Sequence, residues 1–405
     1  MKIAYIGIPA HGHTNPTLPV TRELVARGHE MLYYNAEWFR AQVSPTGVDF
    51  RAYSEPMPAE HVITEALAEI ITASRLLAEM SERLTPFLLD ELAREQPDVI
   101  IYDSVAMWGY IAARTQRIPH ICSITHFVLN GSQRSIGLGE IARYIWTALP
   151  HAAALMSWKR RMTRRYGKNI VGGITEYGDL NLVFTSREFH PPKRFVDERF
   201  RLVGPSIDPA TRAGDLALDF PFDEMGGGAV VYISLGTISN VNPAFYRTAF
   251  EAFGGYPARF ILAAGQHTNT AQLGAIPATF TVRPYAPQLE ILQRAQAFIT
   301  HGGMNSVQEG LYYGAPEIVV PHQLEQALNG KRVAETGAGI LLGARPPYGR
   351  APAEQLRAAL DAVLGDGTYR ENARRIGETL RAAGGYKRAA DEIEGFAGVK
   401  RTQPL

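Results

Sequence analysis

The feature that most limits what this chain can fold into is a repeated alternation of continuously apolar runs with segments of helical spacing. Ile3 to Ile8 is such a run, and Thr17 to Ala26 follows with Leu18, Leu24 and Val25 spaced for a helix before Gly28 ends it. An apolar run with no polar face predicts a strand covered by helices on both sides of its sheet. Met31 to Asn35 repeats the strand pattern, Glu65 to Arg94 is a long helical region, and Asp98 to Tyr102 is a strand that stops at Asp103. Leu180 to Ser186 reads as another strand. A stretch rich in Gly, Pro and Asp follows from Gly204 to Gly228, and the alternation then restarts with Ala229 to Ser234, Arg259 to Ala264, Ala297 to Thr300 and Ile318 to Pro321. Helical sequence closes the chain over Arg370 to Ala383 and Lys387 to Phe396, interrupted at Gly384-Gly385.

Strands alternating with helices imply mostly parallel sheets in an α/β fold, and 405 residues are too many for one comfortable core. We expect an N-terminal domain over 1–205, a linker over 206–227, a second domain over 228–382, and a C-terminal helix and tail over 383–405. Doubly wound domains bind ligands at the carboxyl ends of their strands, so the chemistry is expected in a cleft between two such domains.

Composition narrows the chemistry. With 46% hydrophobic and 20% charged residues the chain is an ordinary globular one, and a net charge of +1 offers no long-range field for nucleic acid or an anionic membrane. Small-molecule substrates are expected. The lone Cys122 has no partner for an internal disulfide, in keeping with a reducing, cytoplasmic setting. The N-terminal apolar run is too short for an export signal, and Val99 to Ala113 carries Asp103 and falls short of the ~18–20 residues that cross a bilayer. No stable membrane insertion is expected, in a monomer or homodimer. The basic stretch Trp158-Lys159-Arg160-Arg161 with Arg164, Arg165 and Lys168 reads as a solvated helix face.

The densest constellation of polar residues is Tyr285-Ala286-Pro287-Gln288 followed by His301-Gly302-Gly303-Met304-Asn305-Ser306 and Glu309. Ala297 to Thr300 is a strand, Gly302 and Gly303 let the backbone approach a ligand, and a helix opens at Asn305 or Ser306. The N–H groups and positive dipole of that helix suit a phosphate, with donors from Asn305, Ser306 and His301. Glu309, one turn on, can accept the hydroxyls of a ribose. Ser234-Leu235-Gly236-Thr237 makes a second phosphate-facing turn, so a diphosphate is expected. Tyr285 offers a face to a base whose edge the Ala286 backbone can read. Glu325 and Gln326, at another strand's carboxyl end, suit sugar hydroxyls.

At the opposite end, Ile8-Pro9-Ala10-His11-Gly12-His13-Thr14-Asn15-Pro16 lacks the Gly-x-Gly-x-x-Gly spacing of a dinucleotide enzyme and presents histidine instead. His13 suits a general base, because imidazole titrates near neutrality. The topology brings Asp103 to the same crevice, where its carboxylate can fix the imidazole tautomer. His11 is then structural. The regions Arg51 to Glu79 and Thr125 to Tyr166 fit neither repeat, and His126, Phe127, Ile136 and Trp146 are candidates to line an apolar acceptor pocket. No Asp-x-Asp or His/Cys cluster suggests a metal, so no cofactor is expected.

From Tyr285 to Gln326, and again from Gly7 to Pro16, the sequence resembles the nucleotide-sugar-dependent glycosyltransferases of GT-B fold, in the bacterial branch that glycosylates macrolides and flavonoids. The resemblance implies two Rossmann-like domains facing a cleft, with a C-terminal helix returning to the first. It also implies that Tyr285 and Gln288 contact base and ribose, that His301, Asn305, Ser306 and Thr237 hold the diphosphate, and that Glu309 holds the ribose. Glu325 with Gln326 would hold the sugar, and a His13–Asp103 pair would activate the acceptor. Direct displacement by an activated hydroxyl inverts the anomeric centre, giving a β-linked product from a donor such as UDP-glucose. A sugar-nucleotide epimerase of the same fold and a catalytically idle nucleotide-sugar-binding protein are the competing readings. The chain departs from the family at Glu317, usually apolar and expected to disturb a strand edge. It departs again at Gly330, usually alanine and expected to loosen a helix by roughly 0.5–1 kcal/mol.

Overall fold

The computed structural model describes the chain apart from residues 55–56, 59–61, 64–65, 67–69, 129–137, 172–176, 193–196, 213–219, 221, 223–227, 237–241, 267 and 403–405. It divides into two compact units, one of Met1–Phe184, Pro192–Ser206 and Gly384–Leu405, the other of Thr185–Pro191 and Ile207–Ala383.

The first unit is built on β1 (Lys2–Ile6), β2 (Glu30–Asn35), β3 (Asp49–Ala52), β4 (Val99–Asp103), β5 (His120–Ile124), β6 (Leu180–Val183) and β7 (Phe200–Leu202). They form one sheet in the order β3-β2-β1-β4-β5-β6-β7, and every neighbouring pair is parallel. The continuous apolar runs are explained by a core on each face. On one face Ile6, Ile100, Tyr102 and Cys122 pack with Leu84, Leu88 and Leu92 of the helix Ile70–Glu95 and with Trp108 and Ile111 of the helix Met107–Gln116. On the other, Tyr5, Tyr33, Val99 and Ile101 pack with Leu18 and Leu24 of the helix Thr17–Ala26.

Ala389, Ala390 and Ile393 of the last helix, Gly385–Thr402, join this second core. Arg27 donates to Asp391 and Glu394 at 2.7 Å each, and the His29 ring meets Glu394 at 2.7 Å. The C-terminal helix therefore returns to the N-terminal sheet. Further along the first unit, Trp158 is buried with its indole N–H on Ser81 Oγ at 3.0 Å, while Lys159, Arg160, Arg164 and Lys168 are exposed.

The second unit is a sheet of β8 (Ala229–Ser234), β9 (Ala258–Ala263), β10 (Phe280–Arg283), β11 (Ala297–Thr300), β12 (Glu317–Val319) and β13 (Gly339–Leu341), ordered β10-β9-β8-β11-β12-β13 and again parallel throughout. The order reverses between β8 and β11, where Ser234 pairs with Thr300 and the turns after both strands come together.

Two expectations are corrected here. Glu317 is not at a sheet edge, because β12 lies between β11 and β13, with Glu317 in register with Phe298 and Gly339. Its side chain is fully buried in a hollow over Gly310, where a Cβ would collide with the carboxyl, and neither carboxyl oxygen has a hydrogen-bond partner. Gly330 is required rather than merely tolerated. A Cβ there would sit 2.7 Å from both Val319 Cγ1 and Leu341 Cδ1, so the glycine lets the helix Leu324–Glu335 press against β12 and β13. The overpacking that alanine brings costs about 1–3 kcal/mol, more than its helix preference returns.

Burial holds the Glu317 carboxyl well above its usual value of 4.5. The folded chain thus keeps a proton that the unfolded chain releases once the pH passes about 4.5, and stability falls from there by up to ~1.4 kcal/mol per pH unit until the folded-state group ionises. The urea midpoint of the wild type should fall between pH 5 and pH 8 relative to that of Glu317→Gln. Parallel pH profiles for the two proteins would contradict this account.

Candidate active site

In the first unit the loop after β1 forms a short helix, His11–Thr14, held by amide bonds from His13 and Thr14 to the Ala10 carbonyl at 3.0 and 2.9 Å. Thr14 Oγ1 reaches the Ile8 carbonyl, and Tyr53 donates to the Gly7 carbonyl at 2.6 Å while accepting from Trp108 at 3.0 Å. These bonds fix where His13 stands. Its Nδ1 lies 2.8 Å from Asp103 Oδ2 at the end of β4, with Thr125 Oγ1 3.3 Å away. The Asp103 side chain is 1% exposed and that of His13 24%. A buried carboxylate takes the imidazole N–H on Nδ1, which puts the ring's lone pair on Nε2. Asp103 Oδ1 also caps the Val105 amide at 3.0 Å, so one carboxylate both shapes the turn and orients the ring.

The other candidates in this unit divide. His11 leans on Phe39 with ring centroids 4.9 Å apart, as a structural residue would. His126 is held at both ring nitrogens, by the Phe127 carbonyl at 2.8 Å and Ser104 Oγ at 3.1 Å, and Phe127 is buried. Ile136 lies outside the described residues, and Trp146 is described only as part of the helix Leu138–Tyr166.

In the second unit the turn after β11 is built around the His301 ring. Glycine is needed beside it, since a Cβ at Gly236 would fall 2.5 Å from Cε1 and one at Gly303 2.5 Å from Nε2. Gly302 has φ +89°, a left-handed conformation that L side chains rarely adopt. Burial lowers the His301 pKa to about 3, and the neighbouring His322, itself lowered to about 4 by burial, adds to the effect. A neutral imidazole is a hydrogen-bond donor that brings no charge.

The helix Met304–Tyr312 starts from Gly303 with no side chain capping it, one or two residues before the Asn305 or Ser306 start expected from the sequence. Ser306 is buried and Asn305 half-buried in its first turn. Tyr285 is 47% exposed, and Ala286 is buried. Thr237 lies outside the described residues. Glu309, 3% exposed, accepts from Gln288 Nε2 at 2.5 Å on one oxygen and pairs with Arg212 through the other. Asn329 Nδ2 ties Glu325 Oε1, at 2.6 Å, to the Gly302 carbonyl, at 2.9 Å. Gln326 is buried and spends its side-chain oxygen on the His322 amide at 2.7 Å.

A comparison with known proteins fixes the family. A relative from Bacillus subtilis (strain 168), described as an uncharacterized UDP-glucosyltransferase, YojK, is 32% identical over 97% of this chain and 96% of its own. The chain belongs to the bacterial macrolide-type GT-B glycosyltransferases. Residues 253–389 of this glycosyltransferase match the C-terminal domain of erythromycin biosynthesis protein CIII-like proteins. It is also 31% identical to the oleandomycin glycosyltransferase of Streptomyces antibioticus, over 97% of this chain and 90% of that one. The crystal structure of the kitacinnamycin glycotransferase superposes with a TM-score of 0.84 at 28% identity, covering 98% of this chain and 99% of the other.

Among the described residues of this glycosyltransferase no group of three or more His, Cys, Asp or Glu side chains converges as a metal site would, and no helix is long and apolar enough to cross a membrane. Reading from sequence missed Arg212, Asn329 and Thr125. Arg212 falls in a stretch whose Gly, Pro and Asp content marks only a connection.

For His301 the expected outcome is a ring that stays neutral from pH 7 down to pH 5 in nitrogen-15 NMR. A protonation midpoint near 6.5 would contradict the enclosed site.

Proposed function

We propose that this glycosyltransferase is an inverting, metal-independent enzyme that moves a hexose, foremost glucose from UDP-glucose, to a hydroxyl of a hydrophobic small molecule. The first unit takes the acceptor and the second holds the donor. The observation that carries this reading is the 2.8 Å contact between His13 Nδ1 and the buried Asp103 carboxylate. A binding protein has no use for an imidazole oriented in this way, whereas an acceptor alcohol needs a base before it can attack.

In the proposed reaction His13 Nε2 takes the hydroxyl proton as the oxygen bonds to the anomeric carbon and the carbon–oxygen bond to the diphosphate breaks on the opposite face. Asp103 stabilises the imidazolium that forms, and inversion turns an α-linked donor into a β-linked product. The leaving diphosphate is met by the Gly303 end of the helix Met304–Tyr312, by His301 and by Asn305, Ser306 and Thr237, without added metal. Tyr285 stacks on the base, the Ala286 backbone reads its edge, Gln288 and Glu309 address the ribose, and Glu325 with Gln326 the sugar. His126 and Phe127 are the described candidates for the acceptor side.

The donor assignment is supported by a relative named as a UDP-glucosyltransferase, and the acceptor class by one named for the macrolide oleandomycin. Macrolide, flavonoid and other phenolic or polyketide hydroxyls are the acceptors to test. A cytoplasmic setting accords with the one cysteine, Cys122, being a buried free thiol.

Replacing His13 by alanine is expected to lower turnover about 100-fold or more while donor affinity is nearly unchanged, the signature of a lost general base. Full activity in that variant would defeat the assignment. The wild-type assay, run on UDP- and dTDP-sugars with macrolide and phenolic acceptors and read by mass spectrometry, should give the same turnover in excess EDTA. Loss of activity in the chelator would contradict metal independence.

A further inference from the structure

Glu309 is a buried carboxylate whose two oxygens are both engaged inside the second unit. One accepts from Gln288 at 2.5 Å, and the other pairs with Arg212, which directly follows the short turn Pro209–Thr211. Arg212 is itself mostly buried, its side chain 19% exposed. An ionised carboxylate has about four lone-pair sites, so two stay available after these bonds.

Two outcomes are open when a ribose arrives: the diol displaces Arg212, or it adds to the carboxylate beside it. Displacement would exchange an ion pair between two full charges for hydroxyl hydrogen bonds in which only the carboxylate is charged. It would also leave a buried carboxylate without its cation, the costlier way to disrupt such a pair. Addition keeps the pair and uses the remaining lone pairs.

We propose that Arg212 is a positioning residue for donor recognition: with Gln288 it clamps the Glu309 carboxylate so that its remaining lone pairs meet the 2′ and 3′ hydroxyls of a ribonucleoside diphosphate. The inference rests on the reading of Glu309 as the ribose acceptor and adds a consequence to it. A carboxylate aimed at two hydroxyls favours a ribonucleotide over its 2′-deoxy counterpart, so Arg212 sets donor specificity without touching the chemistry.

The test is calorimetric binding of UDP and of 2′-deoxy-UDP to the wild type and to Arg212→Ala, Arg212→Gln and Arg212→Lys, each with its thermal melt. The wild type is expected to favour UDP by about tenfold or more, the worth of a hydrogen bond to a charged group. Arg212→Ala and Arg212→Gln should lose most of that preference, and Arg212→Lys, which keeps the charge but not the planar fork, should keep part of it. If alanine prevents folding, the glutamine and lysine variants carry the comparison. An unchanged preference in the neutral variants overturns the proposal, because a purely structural residue would weaken both ligands alike. Tighter UDP binding in those variants also overturns it, by making Arg212 a plug. Should the wild type bind neither nucleotide, the ribose reading of Glu309 falls together with this one.

Discussion

Parallel strand pairing is the constraint on which the rest of the structure depends. In a parallel sheet every strand ends on the same edge, so whatever follows the strands is gathered there by backbone hydrogen bonding alone. In the first unit that edge collects His13 after β1, Asp103 at the end of β4 and Thr125 after β5. In the second it collects the Gly236 turn after β8, the His301 turn after β11 and the loop leading to Glu325 after β12. Residues far apart in sequence meet because their strands are neighbours. The polar groups can then be placed to within a hydrogen bond by local devices, such as the Ala10 carbonyl under His13 or the two glycines beside the His301 ring.

Much of this was legible in the sequence, for a physical reason. Strands covered on both faces must be apolar throughout, and this made β1, β4, β8 and β11 visible as uninterrupted runs. The glycines around His301 were visible because close approach and a positive φ leave few other residues possible. What escaped notice includes β5, β7 and β10 as well as two strands with weak signatures. β3, over Asp49–Ala52, is four residues long and carries Asp49 and Arg51, and β13, over Gly339–Leu341, is three residues long. Neither offers enough periodicity to stand out from a loop. Arg212 was hidden because its partner lies 97 positions away and no local pattern announces a long-range ion pair.

Glu317 and Gly330 show why a departure from a family pattern has to be read in three dimensions. In sequence a carboxylate in an apolar strand looks like damage to an edge, and a glycine in a helix looks like a loss of helix propensity. In the structure Glu317 is accommodated by the absent side chain of Gly310, and Gly330 is what allows Val319 and Leu341 to approach the helix backbone. Both are packing solutions under the same strand, β12, whose following loop leads into the helix that carries Glu325 and Gln326. The buried polar groups of the second unit thus fall into two kinds. Glu309 is compensated by Arg212 and Gln288, whereas Glu317 is not compensated at all and is stable only as the neutral acid.

The central claim is that the strand ends of the second unit form a nucleoside diphosphate site anchored on one helix terminus. Crystallography of the protein soaked with UDP tests it most directly. The account predicts diphosphate oxygens within about 3.2 Å of backbone N–H groups at the start of Met304–Tyr312 and of the His301 ring, with the ribose hydroxyls on Glu309. Nucleotide density away from that terminus, with Glu309 untouched, would contradict it.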